Sequence, residues 1–290
     1  MAALLLDGRA LSKEMRTHVL ARCTTLRAAG IVPRFAIVLV GNDESSLAYV
    51  RSLQKTASAC TIDAELVQLP EDVGDHAVEQ RLDMLARDDA THGIILQQPL
   101  PKHLSLRALV EAIPAHKDVD AATALNQGRL AFASGEYFVP ATPAAVMALL
   151  EISPAWPMRG KNALVVGRSS VVGLPVALLL MQNDATVTIA HSRTADLAAI
   201  ARRADIVVAA AGKPGMITGD MLAPHATVID VGTSVVDGAL VGDVAFESAK
   251  DVVAALTPVP GGVGPVTNVS LMHNVLVAAE RSARHSADAS

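Results

Sequence analysis

The chain has 290 residues and a formal net charge of -5, from 24 lysines and arginines against 29 aspartates and glutamates. That mildly acidic balance gives no basic footprint for nucleic acid, and no apolar run reaches the ~18–20 residues that a membrane span needs. The length fits two domains, or one large α/β domain.

Hydrophobic residues make up 51% of the chain and aromatic ones only 2%. The core must therefore be built from Ala, Val, Leu and Ile, a mixture that suits helices packed on a parallel sheet. The two cysteines, Cys23 and Cys60, have no metal-type spacing and make no disulfide framework. A reducing, cytoplasmic compartment is the expectation. The opening MAALLLDGRA lacks a basic segment and is interrupted by Asp7, so it does not read as a signal peptide. The closing RSARHSADAS is small and polar and is expected to fray.

Leu11 to Ala29 reads as an amphipathic helix, stopped by Gly30 and Pro33. Phe35–Gly41 is an apolar, β-branched run, the pattern of a buried parallel strand. A helix over Ser45 to Ala59, a strand in AELVQLP, a helix over Asp75 to Arg87 and a strand in GIILQQPLP complete a βαβ series. Val119 to Pro143 shows little regular pattern. A helix is predicted from about Thr142 to Ile152, with Pro143 suited to its first turn, and the domain boundary falls near it. Beyond the SPAWPMRGKN linker come strands in NALVVG, ATVTIAHS, DIVVAAAG and ATVIDVG, with helices in VGLPVALLLMQ and DLAAIARRA. A loop, LTPVPGGVGPVTN, precedes a last helix over Val269 to Ala283. Strands spaced by helices imply a doubly wound sheet.

After NALVVG comes GRSSVVG, Gly167 to Gly173. A strand, a Gly-led turn and a helix start are what a pyrophosphate needs, because the free N–H groups of a new helix face the anion. The pattern departs from G-x-G-x-x-G, since Ser169 and Val172 replace two of its glycines. The next strand ends in His191-Ser192-Arg193-Thr194, with no acid to bind a ribose 2′-hydroxyl. Arg193, Ser192 and Arg168 would instead suit a 2′-phosphate, which favours NADP over NAD. Read alone, Arg168 and Arg193 fit a solvated surface as well as a phosphate site.

Taken together, GRSSVVGLPVALLL, ATVTIAHSRT, ADIVVAAAGKPGMI, ATVIDVGTS, GDVAFE and LTPVPGGVGPVTN resemble the methylenetetrahydrofolate dehydrogenase/cyclohydrolase family in order and spacing. VGNDESSLAYV, GIILQQPLP and KDVDAATALNQGRL extend the likeness over nearly the whole chain. The resemblance implies an α/β fold: a folate domain (1–138 with a returning helix 268–286), a Rossmann-type NADP domain (139–267), and a cleft between them. It implies a homodimer, a folate substrate and NADP-linked oxidation of 5,10-methylenetetrahydrofolate to the methenyl cation, which most members then hydrolyse. Position by position, Tyr49 matches the tyrosine packed on folate, Gln97 a glutamine near the reacting carbon, and Asp120 the aspartate that bonds the pterin. Gly167, Arg168, Ser169, Ser192 and Thr233 match cofactor contacts, and Pro260, Gly261 and Gly262 the loop beside the substrate. Each has a plainer structural alternative: Tyr49 as a half-buried helix residue, Asp120 as a loop acid, Gln97 as a strand end, and the glycines as turn chemistry.

The likeness breaks at one telling place. The family's Y-V-x-x-K reads Tyr49-Val50-Arg51-Ser52-Leu53, so leucine stands where the family has lysine. Lys55 lies about 200° further round the helix and faces away. The family's G-F-H-P becomes Ala121-Ala122-Thr123-Ala124, its P-C-T-P-x-G becomes Pro140 to Ala145, and Gln98 stands where leucine is usual. Hydride loss needs alignment with the cofactor and no obligatory proton transfer. Hydrolysis needs proton traffic, and a positioned acid/base is worth ~10²–10⁴ in rate. The expectation is a dehydrogenase with weak or absent cyclohydrolase activity. The alternatives are a fully bifunctional enzyme, a paralogue acting on another one-carbon carrier, and a non-catalytic NADP-binding regulator.

Overall fold

The computed structural model describes residues 2–288. The chain divides into two compact units, one of residues 1–13 and 142–267, the other of residues 14–141 and 268–290.

The chain begins with β1 (Leu4–Leu5) and α1 (Gly8–Ala28). The second unit then follows as β2 (Arg34–Val40), α2 (Glu44–Ala59), β3 (Asp63–Leu69), α3 (Asp75–Arg87), β4 (Gly93–Leu96), α4 (Leu106–Val110) and α5 (Ala124–Phe132). Its three strands are parallel in the order β3-β2-β4. A single parallel bridge, Ile94 to Asp118, extends the sheet past β4 and carries the KDVD segment along it. Phe35 to Leu39 are at most 1% exposed, as the unbroken apolar run requires of a strand covered on both faces. Helix α2 begins where Asp43 accepts the Ser46 N–H, and it buries Ser46, Val50, Leu53 and Ala57 at helical spacing. Helix α5 lies inside the stretch expected to lack regular structure. Thr123 caps it, and its buried Asn126 donates to Asp118 rather than facing water.

The other unit holds α6 (Ala141–Glu151), β5 (Asn162–Val166), α7 (Gly173–Gln182), β6 (Thr186–Ala190), α8 (Leu197–Ala201), β7 (Ile206–Ala209) and β8 (Thr227–Asp230). A hairpin, β9 (Ser234–Val236) with β10 (Ala239–Val241), then α9 (Phe246–Ala249) and β11 (Ala255–Leu256) lead to α10 (Val263–Asp288). The main sheet is parallel in the order β1-β11-β8-β7-β5-β6. The chain runs from β5 to β6 on one side and then returns to β7 on the other. That reversal is the topological switch point at which open α/β sheets bind ligands. The last helix starts at Val263 rather than Val269, because Pro265 fits its first turn. It continues through Asp288 where fraying was expected, and residues 289–290 lie outside the described residues.

Candidate functional site

In the sheet of six strands, each expected cofactor residue follows the carboxyl end of a strand. Gly167 follows β5 with φ 133, and a Cβ there would lie 2.1 Å from the Ala210 carbonyl oxygen. A Cβ on Gly173 would lie 2.3 Å from the Gly167 carbonyl oxygen. The turn therefore does use two glycines, six positions apart, one more than separates the first and last glycines of the dinucleotide fingerprint. Between them the Ser169 hydroxyl accepts the Val172 and Gly173 N–H groups at 3.2 and 3.3 Å. Serine thus organises the turn through its side chain where a second glycine would leave the backbone bare. Arg168 and Ser169 are exposed.

After β6, the His191 N–H donates to Thr194 Oγ1 at 2.9 Å and the Arg193 N–H to His191 Nδ1 at 3.2 Å. This tight turn leaves Ser192 and Arg193 exposed, with no carboxylate among residues 191–194. Thr233 is exposed past the end of β8. Pro260 is exposed past β11, while Gly261 and Gly262 are buried. Two aspartates overlooked in the sequence brace this edge. Asp243 accepts the N–H groups of Ala211, Gly212 and Lys213 at 2.6–2.8 Å. Asp230 accepts those of Gly232, Asp243 and Val244, each at 2.9 Å. Burial, partly offset by these hydrogen bonds, pushes Asp230 up to about 6.

In the other unit, Gln97 continues from β4, its N–H bonded to the Val38 carbonyl at 2.8 Å and its side-chain Nε2 to the Gln98 carbonyl at 2.6 Å. The side chain is 8% exposed. The bridge from Ile94 to Asp118 brings Asp120 abreast of the end of β4 by parallel register. Burial, and then the Asp118 carboxylate, push Asp120 up to about 7. Tyr49 is 36% exposed, and burial followed by the Asp120 carboxylate raises its hydroxyl. The electrostatics therefore place Tyr49 and Asp120 in one neighbourhood, and the groups acting on them include no cation.

Leu53 is 0% exposed and belongs to one buried cluster with Val50, Ala57, Val119 and Ala121. Lys55 is exposed, as its place on the helix predicts. Lys117, the amine nearest Asp120 in sequence, donates to the Asp88 carbonyl at 2.8 Å. The altered segment after KDVD is knit around Asp118. Its carboxylate accepts the Ala122 and Thr123 N–H groups, the Thr123 hydroxyl and Asn126 Nδ2, at 2.7–2.9 Å. Ala121, where the family pattern has glycine, takes a left-handed φ of 52. Asn274 and Asn268, also missed in the sequence, reach from α10 to the Val119 carbonyl at 2.8 Å and the Ser52 hydroxyl at 2.9 Å. Only their polarity within an apolar helix marks them in advance.

Comparison with known proteins bears on these features. Residues 6–120 match the catalytic domain of tetrahydrofolate dehydrogenase/cyclohydrolase, and residues 140–283 its NAD(P)-binding domain. The bifunctional protein FolD of Bordetella petrii is 47% identical over 97% of this chain and 95% of its own. The crystal structure of the bifunctional FolD enzyme from Campylobacter jejuni superposes with a TM-score of 0.94 at 36% identity, covering 97% and 99% of the two chains. The Trypanosoma brucei enzyme, solved with NADP and an inhibitor, gives 0.93 at 40% identity, covering 98% and 99%.

Proposed function

The chain belongs to the tetrahydrofolate dehydrogenase/cyclohydrolase family, and on that premise we propose that it oxidises 5,10-methylenetetrahydrofolate to the methenyl cation with NADP, with weak or absent hydrolysis of the product. The observation that carries the second half is Leu53. It is wholly buried, one helical turn from Tyr49, where the family pattern has an amine.

NADP suits the residues present. The Gly167–Gly173 cradle leaves room that any Cβ would fill. The end of β6 offers Ser192 and Arg193 and no carboxylate. In this reading Gly167, Arg168 and Ser169 hold the pyrophosphate, Arg193 and Ser192 the 2′-phosphate, and Thr233 a further part of the cofactor. When bound, NADP supplies the hydride acceptor. Tyr49 packs on the folate, Gln97 lies near the reacting carbon, and ionised Asp120 accepts N–H groups of the pterin. Pro260, Gly261 and Gly262 line the substrate, the glycines allowing close backbone approach. Hydride loss leaves a cation shared by two flanking nitrogens, so positioning is the protein's main contribution. Hydrolysis must move protons to and from oxygen and nitrogen, and Leu53 offers none.

One observation favours a second reading. A carboxyl with its pKa near 7 suits general acid/base work at neutral pH, and Asp120 is pushed to about 7 beside Tyr49. In that reading Asp120 takes over the lysine's proton traffic and both activities survive. A paired assay decides. NADPH formation at 340 nm on adding methylenetetrahydrofolate reads the dehydrogenase, and decay of methenyl absorbance reads the hydrolase. NADPH formation with methenyl decay at the buffer rate is expected. Enzyme-dependent decay that disappears in Asp120→Asn supports the second reading instead. A homodimer and a cytoplasmic location remain part of the proposal by family resemblance. Sedimentation at a twofold mass tests the first, and fractionation of cells the second.

A further inference from the structure

The loops that follow β5, β7 and β8 stand side by side at the carboxyl edge of the sheet, in the strand order β8-β7-β5. Two buried aspartates join them. Asp243 is 0% exposed, and its carboxylate takes the Ala211, Gly212 and Lys213 N–H groups of the loop after β7. Its own N–H donates to Asp230 Oδ1, which also takes the Gly232 N–H. One oxygen thus closes the neck of the β9–β10 hairpin and fixes the residue before Thr233. Glycines admit this close approach. A Cβ on Gly232 would lie 2.4 Å from the Asp243 nitrogen, and one on Gly242 would lie 1.9 Å from Asp230 Oδ2. At the other end, the Ala210 carbonyl oxygen leaves no room for a Cβ on Gly167. A line of contacts therefore runs from the Gly167 turn through residues 210–213, Asp243 and Asp230 to Gly232.

The need to satisfy N–H groups does not account for this arrangement. Ala211, Gly212 and Lys213 are exposed, so water could take their N–H groups. Burying two like charges is costly, and the groups acting on Asp230 include the Asp243 carboxylate and no cation. Unfavourable electrostatics of this kind gather at functional sites. We propose that Asp243, acting through Asp230, is a positioning residue for NADP that sets Thr233 at a fixed place relative to the Gly167 turn. The inference rests on reading those two segments as cofactor contacts. A carboxylate suits the task and an amide does not. Two carboxylate oxygens accept all three N–H groups of the loop, whereas an asparagine would turn its own N–H groups against at least one of them.

The test measures binding of NADP and of 2′,5′-ADP, the half of the cofactor that carries the 2′-phosphate, to wild type and Asp243→Asn by titration calorimetry. The half-cofactor needs only the turns after β5 and β6, whereas NADP extends further along the sheet edge. Asp243→Asn is expected to raise the Kd for NADP by roughly tenfold or more, as loss of a hydrogen bond to a charged group implies. The Kd for 2′,5′-ADP should stay within about twofold. Equal weakening of both ligands overturns the proposal, since it marks Asp243 as a residue of the fold alone. Unaltered binding of both overturns it too. Wild type that binds neither ligand rejects the NADP reading itself. Amide exchange on wild type covers a variant that does not fold. Ala211, Gly212 and Lys213 should exchange as slowly as Gly232 and Val244 despite their exposure, and NADP should slow all five together, as one cooperative unit requires. Exchange of the three at free-loop rates, or slowing by NADP of one loop without the other, overturns the proposal.

Discussion

Asn274 donates from Nδ2 to the Val119 carbonyl at 2.8 Å, and from the same nitrogen to the Val139 carbonyl at 2.8 Å. One amide thus ties α10 to the residue directly before Asp120. The side chain is 7% exposed, so its removal leaves two carbonyls with little access to water. Asn274→Leu should destabilise the protein by about 2–6 kcal/mol, from ~1–3 for each of the two unsatisfied carbonyls. It should also raise the KM for substrate, because the loop that carries Asp120 loses its clamp. Asn274→Asp sets an acceptor against those two carbonyls and should be as damaging at pH 8, with partial recovery at low pH where the acid can donate. Urea unfolding and KM measured at both pH values check this. Equal harm at both pH values would leave Asn274 a packing residue.

Under the proposed function, Asp120 should link activity and stability to pH with opposite signs. Its folded-state pKa is about 7, raised from 3.8. If the ionised carboxylate accepts from the pterin, kcat/KM rises through about pH 7 and levels off above it. Stability runs the other way. The native state holds the extra proton between the two pKa values, so stability falls as pH rises from about 4 to 7 and is then flat. Asp120→Asn should therefore lose substrate affinity and its pH step, yet be more stable than wild type at pH 8. Unfolding curves at pH 5.5 and 8 give the stability, and pH profiles give the rest. A variant less stable than wild type at pH 8 would sink the assignment of a raised pKa.

How much of this was legible in the sequence depended on whether the partners were local. Helix α3 coincides with the predicted Asp75 to Arg87, because its apolar positions alone specify it. The strand predicted at Phe35–Gly41 is found one residue earlier, at Arg34–Val40. Helix α5 was not legible. Gly128 weakens its interior, and of its two buried residues one is Asn126, which counts as polar in any apolar pattern. Strands β1 and β11 are two residues each and exist only through pairing, Leu4 with Ala255 and Leu5 with Leu256. The site followed the same rule. The turn at Gly167 and the KDVD segment are contiguous and readable. Asn274 and Val119 lie 155 residues apart, and nothing local to either announces the other.

In the proposed site the choice of cofactor is assigned to Arg193. It sits in a turn that Thr194 and His191 hold by side-chain bonds, so its replacement should leave that turn intact. Arg193→Ala should raise the KM for NADP by about 10- to 100-fold, the range for a lost hydrogen bond to a charged group. The KM for NAD should be unchanged, since NAD lacks the 2′-phosphate. Initial rates with both cofactors measure it. Parallel loss with NAD and NADP would mean that Arg193 serves the turn or the pyrophosphate rather than the 2′-phosphate.

Restoring the family's amine is the sharpest test of the substitution in α2. Leu53 is 0% exposed and shares its buried cluster with Val119 and Ala121, the residues flanking Asp120. Leu53→Lys therefore places an ammonium in the core, where only a nearby carboxylate offsets the loss of water. Three consequences follow. The thermal midpoint falls, because packing is lost and a charge is buried. The Asp120 pH step moves below 7, since an adjacent cation favours the carboxylate. Hydrolysis of methenyltetrahydrofolate rises by ~10² or more, the lower bound for a positioned acid/base. Leu53→Met controls for packing and should leave both the pH step and the hydrolysis unaltered. A Leu53→Lys protein that folds, shifts the Asp120 step and still hydrolyses at the wild-type rate would show that a cation beside Asp120 is not enough, and that the altered residues 121–124 also limit proton transfer.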